Sequence, residues 1–130
     1  MNTLLRSLVA FGFALMAPAA MAQQLASPVG NWEIEMRDSR YRVEMCGDGT
    51  QLCGTLVWLG NGADTPENLP YLNTLMIDHA PRIGQNEWRG TLRIHGRTAS
   101  GTIKQINDNQ ISLRGCALLI ICKTFQMYRY

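Results

Sequence analysis

Four cysteines and two histidines are the side chains of this chain with the most chemistry to offer, and their spacing decides which chemistry that is. The cysteines fall as Cys46/Cys53 and Cys116/Cys122. Neither pair has the C-x-x-C spacing of a zinc site, and each flanks a short turn, so two local disulfides are expected: Cys46–Cys53 and Cys116–Cys122. Each would contribute about 2 to 3 kcal/mol by restricting the unfolded chain. His79 follows Asp78, but neighbours on a strand point to opposite faces, and parity puts His95 outside. No serine or cysteine nucleophile sits in a recognisable motif, so no catalytic residue is expected and the protein reads as a non-enzyme. Asp48, Asp64, Glu67 and Asp78 are not spaced as a calcium loop and read as turn residues. No metal or cofactor is expected.

The elements around these residues are strands. Trp32, Ile34 and Met36 alternate with polar residues from Asn31 to Arg37, and Tyr41, Val43 and Met45 do the same from Tyr41 to Cys46, which predicts a hairpin around Asp38-Ser39-Arg40. A Gly/Asp-rich turn follows, then a strand over Leu52 to Leu59 with Leu52, Gly54, Leu56 and Trp58 facing inward. From Gly60 to Asn73 the composition turns to Gly, Asn, Asp and Pro, a long loop with no readable role. Thr74 to Asp78 fits a short strand or one helical turn. Trp88 to His95 alternates with Trp88, Gly90, Leu92 and Ile94 inward, and Gly96 to Gly101 reads as a turn. Strands over Thr102 to Ile106, Ile111 to Gly115 and Lys123 to Arg129 complete the chain, the last with Phe125, Met127 and Arg129 on one face.

Such short strands with turns between them predict an all-β fold: a small antiparallel up-and-down β-barrel of about eight strands, with a two-sheet β-sandwich as the alternative. Closure would bring the first strand beside the last. Gly30 and Trp32 would then meet Arg129, whose guanidinium on the indole face makes a structural clasp.

Arg6, the apolar run Leu8 to Met16 and Ala20-Met21-Ala22 have the order of a secretory signal peptide cleaved after Ala22, so residues 1–22 are expected to leave and residues 23–130 to fold as a single barrel domain. No later run is long enough for a transmembrane helix. An even cysteine count in an exported chain points to the bacterial periplasm. With a whole-chain net charge of +2 and both signs interleaved, nothing marks a nucleic-acid or anionic-membrane surface.

Several segments resemble a bacterial family called domain of unknown function 2147: Gly30-Asn31-Trp32, the run CGDGTQLCGTLVWL from Cys46 to Leu59, Trp88-Arg89-Gly90, Gly101, ISLRGC from Ile111 to Cys116, and Cys122 through Arg129. Met127 departs from the pattern, which has an aromatic residue there, and the loop before Trp88 follows it loosely. The resemblance implies a small exported β-barrel of no established activity. The glycine, tryptophan and terminal arginine are also similar to those of lipocalin-like (calycin) barrels, which carry apolar ligands.

The expected interior, Trp32, Met36, Tyr41, Met45, Trp58, Trp88, Phe125 and Met127, is rich in aromatics and methionine. Such residues line ligand sites for apolar molecules, yet they also simply fill an eight-stranded barrel, and for a chain of this length the filled interior is the heavier reading. The functional expectation is a periplasmic lipocalin-like binding protein for a small apolar or amphipathic ligand. The alternative is a protein-interaction module of the cell envelope, a stress-related factor or an inhibitor of a secreted enzyme, working through the 60–73 loop or through Leu118, Leu119, Ile120 and Ile121. The apolar stretch Ala117 to Ile121, set between two cysteines, reads as a loop folded inward as a plug.

Overall fold

The alternation of apolar and polar residues does what a half-buried sheet requires, and the strands it produces close on themselves. The computed structural model describes residues 24–94, 96–117 and 121–130, together with Ala10 and Gly12. The signal-peptide expectation, His95 and Leu118 to Ile120 therefore lie outside the described residues, apart from those two isolated positions. The strands are β1 Gly30–Ile34, β2 Ser39–Cys46, β3 Gln51–Leu59, β4 Leu75–Ala80, β5 Arg82–Gly84, β6 Glu87–Ile94, β7 Arg97–Asn107, β8 Gln110–Ala117 and β9 Ile121–Arg129. A 3₁₀ turn over Leu69–Tyr71 interrupts the long loop before β4.

Apart from β4 and β5, each strand pairs antiparallel with the next, and β1 pairs with β9 through Trp32↔Arg129 and Ile34↔Met127. β5 continues the course of β4 past Pro81. Both lie along β6, by Ile77↔Leu92 and Arg82↔Trp88, with Arg89 N donating to Pro81 O at 3.0 Å between them. The result is a closed eight-stranded up-and-down barrel, so neither a sandwich nor an open edge results. At the β4–β6 seam the strands come close together: a Cβ on Gly90 would lie 2.7 Å from Ala80 Cα.

Four details differ from the sequence reading. β1 ends at Ile34, because Arg37 adopts φ 57° and residues 35–38 form the turn. Residues 97–101, read as a turn, belong to β7: all five pair with β6, and Ser100 and Gly101 pair with β8 as well. The undecided segment after Asn73 is strand β4. Ala117 and Ile121, read as loop, are a cross-strand pair at the ends of β8 and β9, and both are exposed, Ile121 at 58%.

Because the connections alternate, the barrel has two unlike ends. The turns at 47–50, 85–86 and 108–109 share one end with the N-terminal segment 24–29, which crosses it. Gln105 Nε2 donates to Ala26 O at 2.8 Å, Ala26 N donates to Asp108 Oδ1 at 2.8 Å, and Trp32 Nε1 donates to Pro28 O at 2.8 Å. Behind that segment Trp32, Leu52, Trp88, Ile103 and Ile111 are buried and packed together. The other end carries residues 35–38, the 60–74 loop, Gly96, Ala117 and Ile121.

Candidate functional site

The interior is packed at the first end and hollow at the second. A cavity of about 230 Å³ lies under residues 35–38 and the 60–74 loop. Its walls are Ile34, Leu56, Ile77, Leu92, Leu113 and Phe125 from six strands, and Ala63, Asn68 and Tyr71 of the loop reach into its mouth. The loop is positioned by backbone bonds of Asn73 N to Leu56 O at 2.7 Å and Leu56 N to Thr74 O at 3.0 Å, and by Asn61 Nδ2 donating to Arg37 O at 2.6 Å. The polar stretch without a readable role is thus the rim of the cavity.

The residues expected inside divide into three groups. Tyr41, Phe125 and Met127 line the cavity. Trp32, Met45 and Trp88 belong to the packed core and not to the lining, with Trp88 Nε1 donating to Thr50 O at 3.0 Å. Trp58 is on the outer face, which corrects the parity reading. Tyr41 pairs with Leu56 while Arg40 pairs with Trp58, so one extra residue on β3 forms a bulge and inverts the alternation beyond it. Leu59 takes the inner place, and the Arg40 guanidinium sits 4.1 Å from the Trp58 ring centre and 3.8 Å from that of Tyr130. The run Val57-Trp58-Leu59 carries no alternation from which a bulge could be read. Met36, expected inside, is 52% exposed and touches the cavity only at its rim.

Polar groups enter the cavity on one side. Ser39 Oγ donates to Tyr41 Oη at 3.1 Å, and Asp38 lies beside them. Burial, opposed by the Ser39 hydrogen bond and reinforced by the Asp38 charge, pushes the Tyr41 hydroxyl above its ordinary value of 10.0, so it remains a neutral donor at physiological pH. Its contribution to stability is complete below pH 10.0 and is lost as the pH rises above that value towards the raised one.

Arg129 lies at the packed end. Its guanidinium carbon is 4.4 Å from the Trp32 ring centre, and it donates to Asp108 O at 2.9 Å, Val29 O at 3.1 Å and Ser27 O at 2.9 Å. Gly30 adopts φ 151°, and a Cβ there would lie 2.7 Å from Arg129 Nη1. Only glycine leaves the guanidinium its place.

Both disulfides form, Cys46–Cys53 at a Cα separation of 5.9 Å and Cys116–Cys122 at 4.0 Å. Beside the first is a feature that strict alternation excluded. β3 advances two residues from Leu52 to Gly54 while β4 advances three from Ala80 to Ile77, and His79 takes φ 50° in the bulge. Asp78 and His79 therefore meet despite being adjacent, with His79 Nδ1 and Asp78 Oδ1 at 2.7 Å, and Arg93 binds the other carboxylate oxygen at 2.9 Å. The His79 ring nitrogen and the two sulfurs lie within 4.8 Å of one another, but both sulfurs are committed to the disulfide. Hydrogen bonds from His79 and then Arg93 hold the Asp78 carboxyl below 3.8. Its stabilisation is present above that value and lost as the pH falls below it. Asp78→Asn is accordingly expected to flatten the acid limb: between pH 5 and pH 3 the urea midpoint of the variant falls less than that of the wild type. Equal slopes would show that this cluster does not couple to folding.

Residues 30–129 match a family described as an uncharacterized protein conserved in bacteria, DUF2147. The chain belongs to that family. No curated protein matches this DUF2147 member. A solved structure similar to its barrel is a protein from the human pathogen Helicobacter pylori, described as belonging to the lipocalin family. The TM-score is 0.57 at 13% identity, over 81% of this chain and 84% of that one. The DUF2147 barrel is therefore lipocalin-like in fold, with one end packed and the other open around a cavity.

Proposed function

We propose that this protein is a periplasmic, non-catalytic carrier of a small apolar or amphipathic molecule held in the open end of its barrel. The observation that carries the reading is the cavity of about 230 Å³, apolar on most sides and rimmed by a loop. An apolar cavity of about 150 Å³ holds benzene, so this one has room for roughly nine non-hydrogen atoms. At about 0.5 to 0.9 kcal/mol per atom, such a ligand binds with Kd between roughly 1 mM and 1 µM. The lipocalin-like fold supports the same reading, and the two disulfides suit an oxidising compartment reached after cleavage at Ala22. N-terminal sequencing of protein from a periplasmic extract tests the processing and is expected to begin at Gln23.

Methyl-resolved NMR tests the binding. Titration with 2-phenylethanol is expected to shift the Ile77 and Leu92 methyls saturably with one-to-one stoichiometry. Ile94→Trp, which fills the chamber, is expected to weaken that binding at least tenfold. If 2-phenylethanol and other apolar compounds of similar size all leave those methyls unmoved, the carrier reading fails.

A protein-interaction role is the second reading. It draws on the exposed apolar side chains around the open end, Met36, Leu69 and Ile121. Under it, Ile121→Ser abolishes a partner pull-down while leaving small-molecule binding intact.

A further inference from the structure

The cavity is apolar on most sides, and its polar side is asymmetric in charge. Among the described residues, Asp38 is the one charged residue of its lining, and no lysine or arginine accompanies it there. Among the described residues no ion pair engages the Asp38 carboxylate; those that form involve Glu33, Glu44 and Asp78. The backbone explains why the carboxylate stays at the rim. Gly60 N donates to Asp38 O at 3.0 Å, so the long loop fixes the residue by its main chain, and among the described residues no hydrogen bond engages its side chain. Next to it the Ser39–Tyr41 pair offers two hydroxyl oxygens, Ser39 being only 6% exposed. Arg37, in the same turn, is exposed and outside the lining.

A ligand entering this end brings its apolar body against Leu92, Leu113 and Phe125 and its head group against Asp38, Ser39 and Tyr41. An anionic head would lose water beside an uncompensated carboxylate, a double penalty in a site of reduced dielectric. An ammonium head meets an opposite charge and two oxygen acceptors. A hydroxyl head meets hydrogen-bonding partners without the charge term. We infer that the chamber selects by charge, taking small aryl- or alkyl-amines in preference to neutral alcohols of the same size and rejecting the corresponding carboxylates. This inference rests on the carrier reading and adds the class of ligand. It sets this barrel against a fatty-acid carrier, which would need a cation where Asp38 stands.

Three probes of matched body and different head decide it: 2-phenylethylamine, 2-phenylethanol and phenylacetate, titrated at neutral pH and low salt with the Ile77 and Leu92 methyls as reporters. The amine is expected to bind about five- to twentyfold more tightly than the alcohol, and the carboxylate at least tenfold more weakly than the alcohol. In Asp38→Asn the amine loses its advantage over the alcohol. Asp38→Glu, which keeps the charge, retains most of that advantage and serves if the asparagine variant folds poorly. Phenylacetate binding as tightly as the amine, or an amine-to-alcohol ratio that does not change in Asp38→Asn, overturns the inference while leaving the carrier reading intact. Failure of all three probes overturns the inference, and failure of other apolar compounds of similar size as well overturns the carrier reading with it.

Discussion

Arg129→Ala is expected to lower stability by about 3 to 4 kcal/mol, and the melting temperature by roughly 15 to 25 °C for a domain of this size. The stacking on Trp32 alone would account for about 2 kcal/mol when desolvated. The larger figure follows from what else the guanidinium does. It donates to three backbone carbonyls, those of Ser27, Val29 and Asp108, which belong to the N-terminal segment and to the turn between β7 and β8. One side chain therefore fastens the crossing segment, the last strand and the neighbouring turn over a fully buried indole. Hydrogen bonds from a charged donor contribute about 1.5 to 3 kcal/mol each, and three on one half-buried group add less than their sum. Arg129→Lys keeps the charge but not the fork, and is expected to recover less than half of the loss. A melting temperature within 5 °C of wild type for Arg129→Ala would falsify the clasp.

Leu92→Ala carries the second large effect, one part of it on stability and the other on binding. Leu92 is 1% exposed and sits in a slot left by two glycines: a Cβ on Gly101 would run into Leu92 Cγ, and one on Gly115 would lie 3.2 Å from its Cδ1. These glycines face each other across β7 and β8, so the surrounding sheet has no side chain with which to refill the space. The cost should therefore lie in the middle to upper part of the range for buried leucine truncations, about 3 to 4 kcal/mol, measured by urea denaturation. The same residue is part of the cavity wall, so the truncation enlarges the chamber from its floor. The folded variant is expected to bind 4-phenylbutan-1-ol more tightly than 2-phenylethanol, reversing the order in the wild type. A loss below 1 kcal/mol would mean that the wall collapses onto the vacancy, and an unreversed order would mean that Leu92 does not bound the ligand.

The barrel was legible because its signal is local and repeated. A residue on a half-buried strand has one apolar face, and alternation through β2, β6 and β9 identifies that face without knowledge of any neighbour. Parity also placed Trp32 and Arg129 on one side of two strands at opposite ends of the chain. The register that pairs them is nevertheless a property of the closed sheet. Alternation misleads wherever a bulge inserts a residue. At Val57 it turned Trp58 outward to Arg40, and at His79 it joined two adjacent side chains that should have diverged. Neither bulge is marked by glycine or proline at its own position.

The cavity was beyond the sequence for another reason. The same list of apolar residues fills a barrel or lines a void, and which of the two occurs depends on how the strands and loop are set around the axis. By itself, the sequence determined the all-β class, the cysteine pairing and the faces of most strands, since each follows from spacing along the chain. Tertiary structure alone decided that the N-terminal segment closes one end, that the 60–74 loop rims the other, and that Asp38 stands at the rim beside Ser39 and Tyr41. Apart from the local Ser39–Tyr41 hydrogen bond, these rest on contacts between distant segments, Gln105 to Ala26 and Gly60 to Asp38 among them, which barrel closure fixes and no local pattern shows.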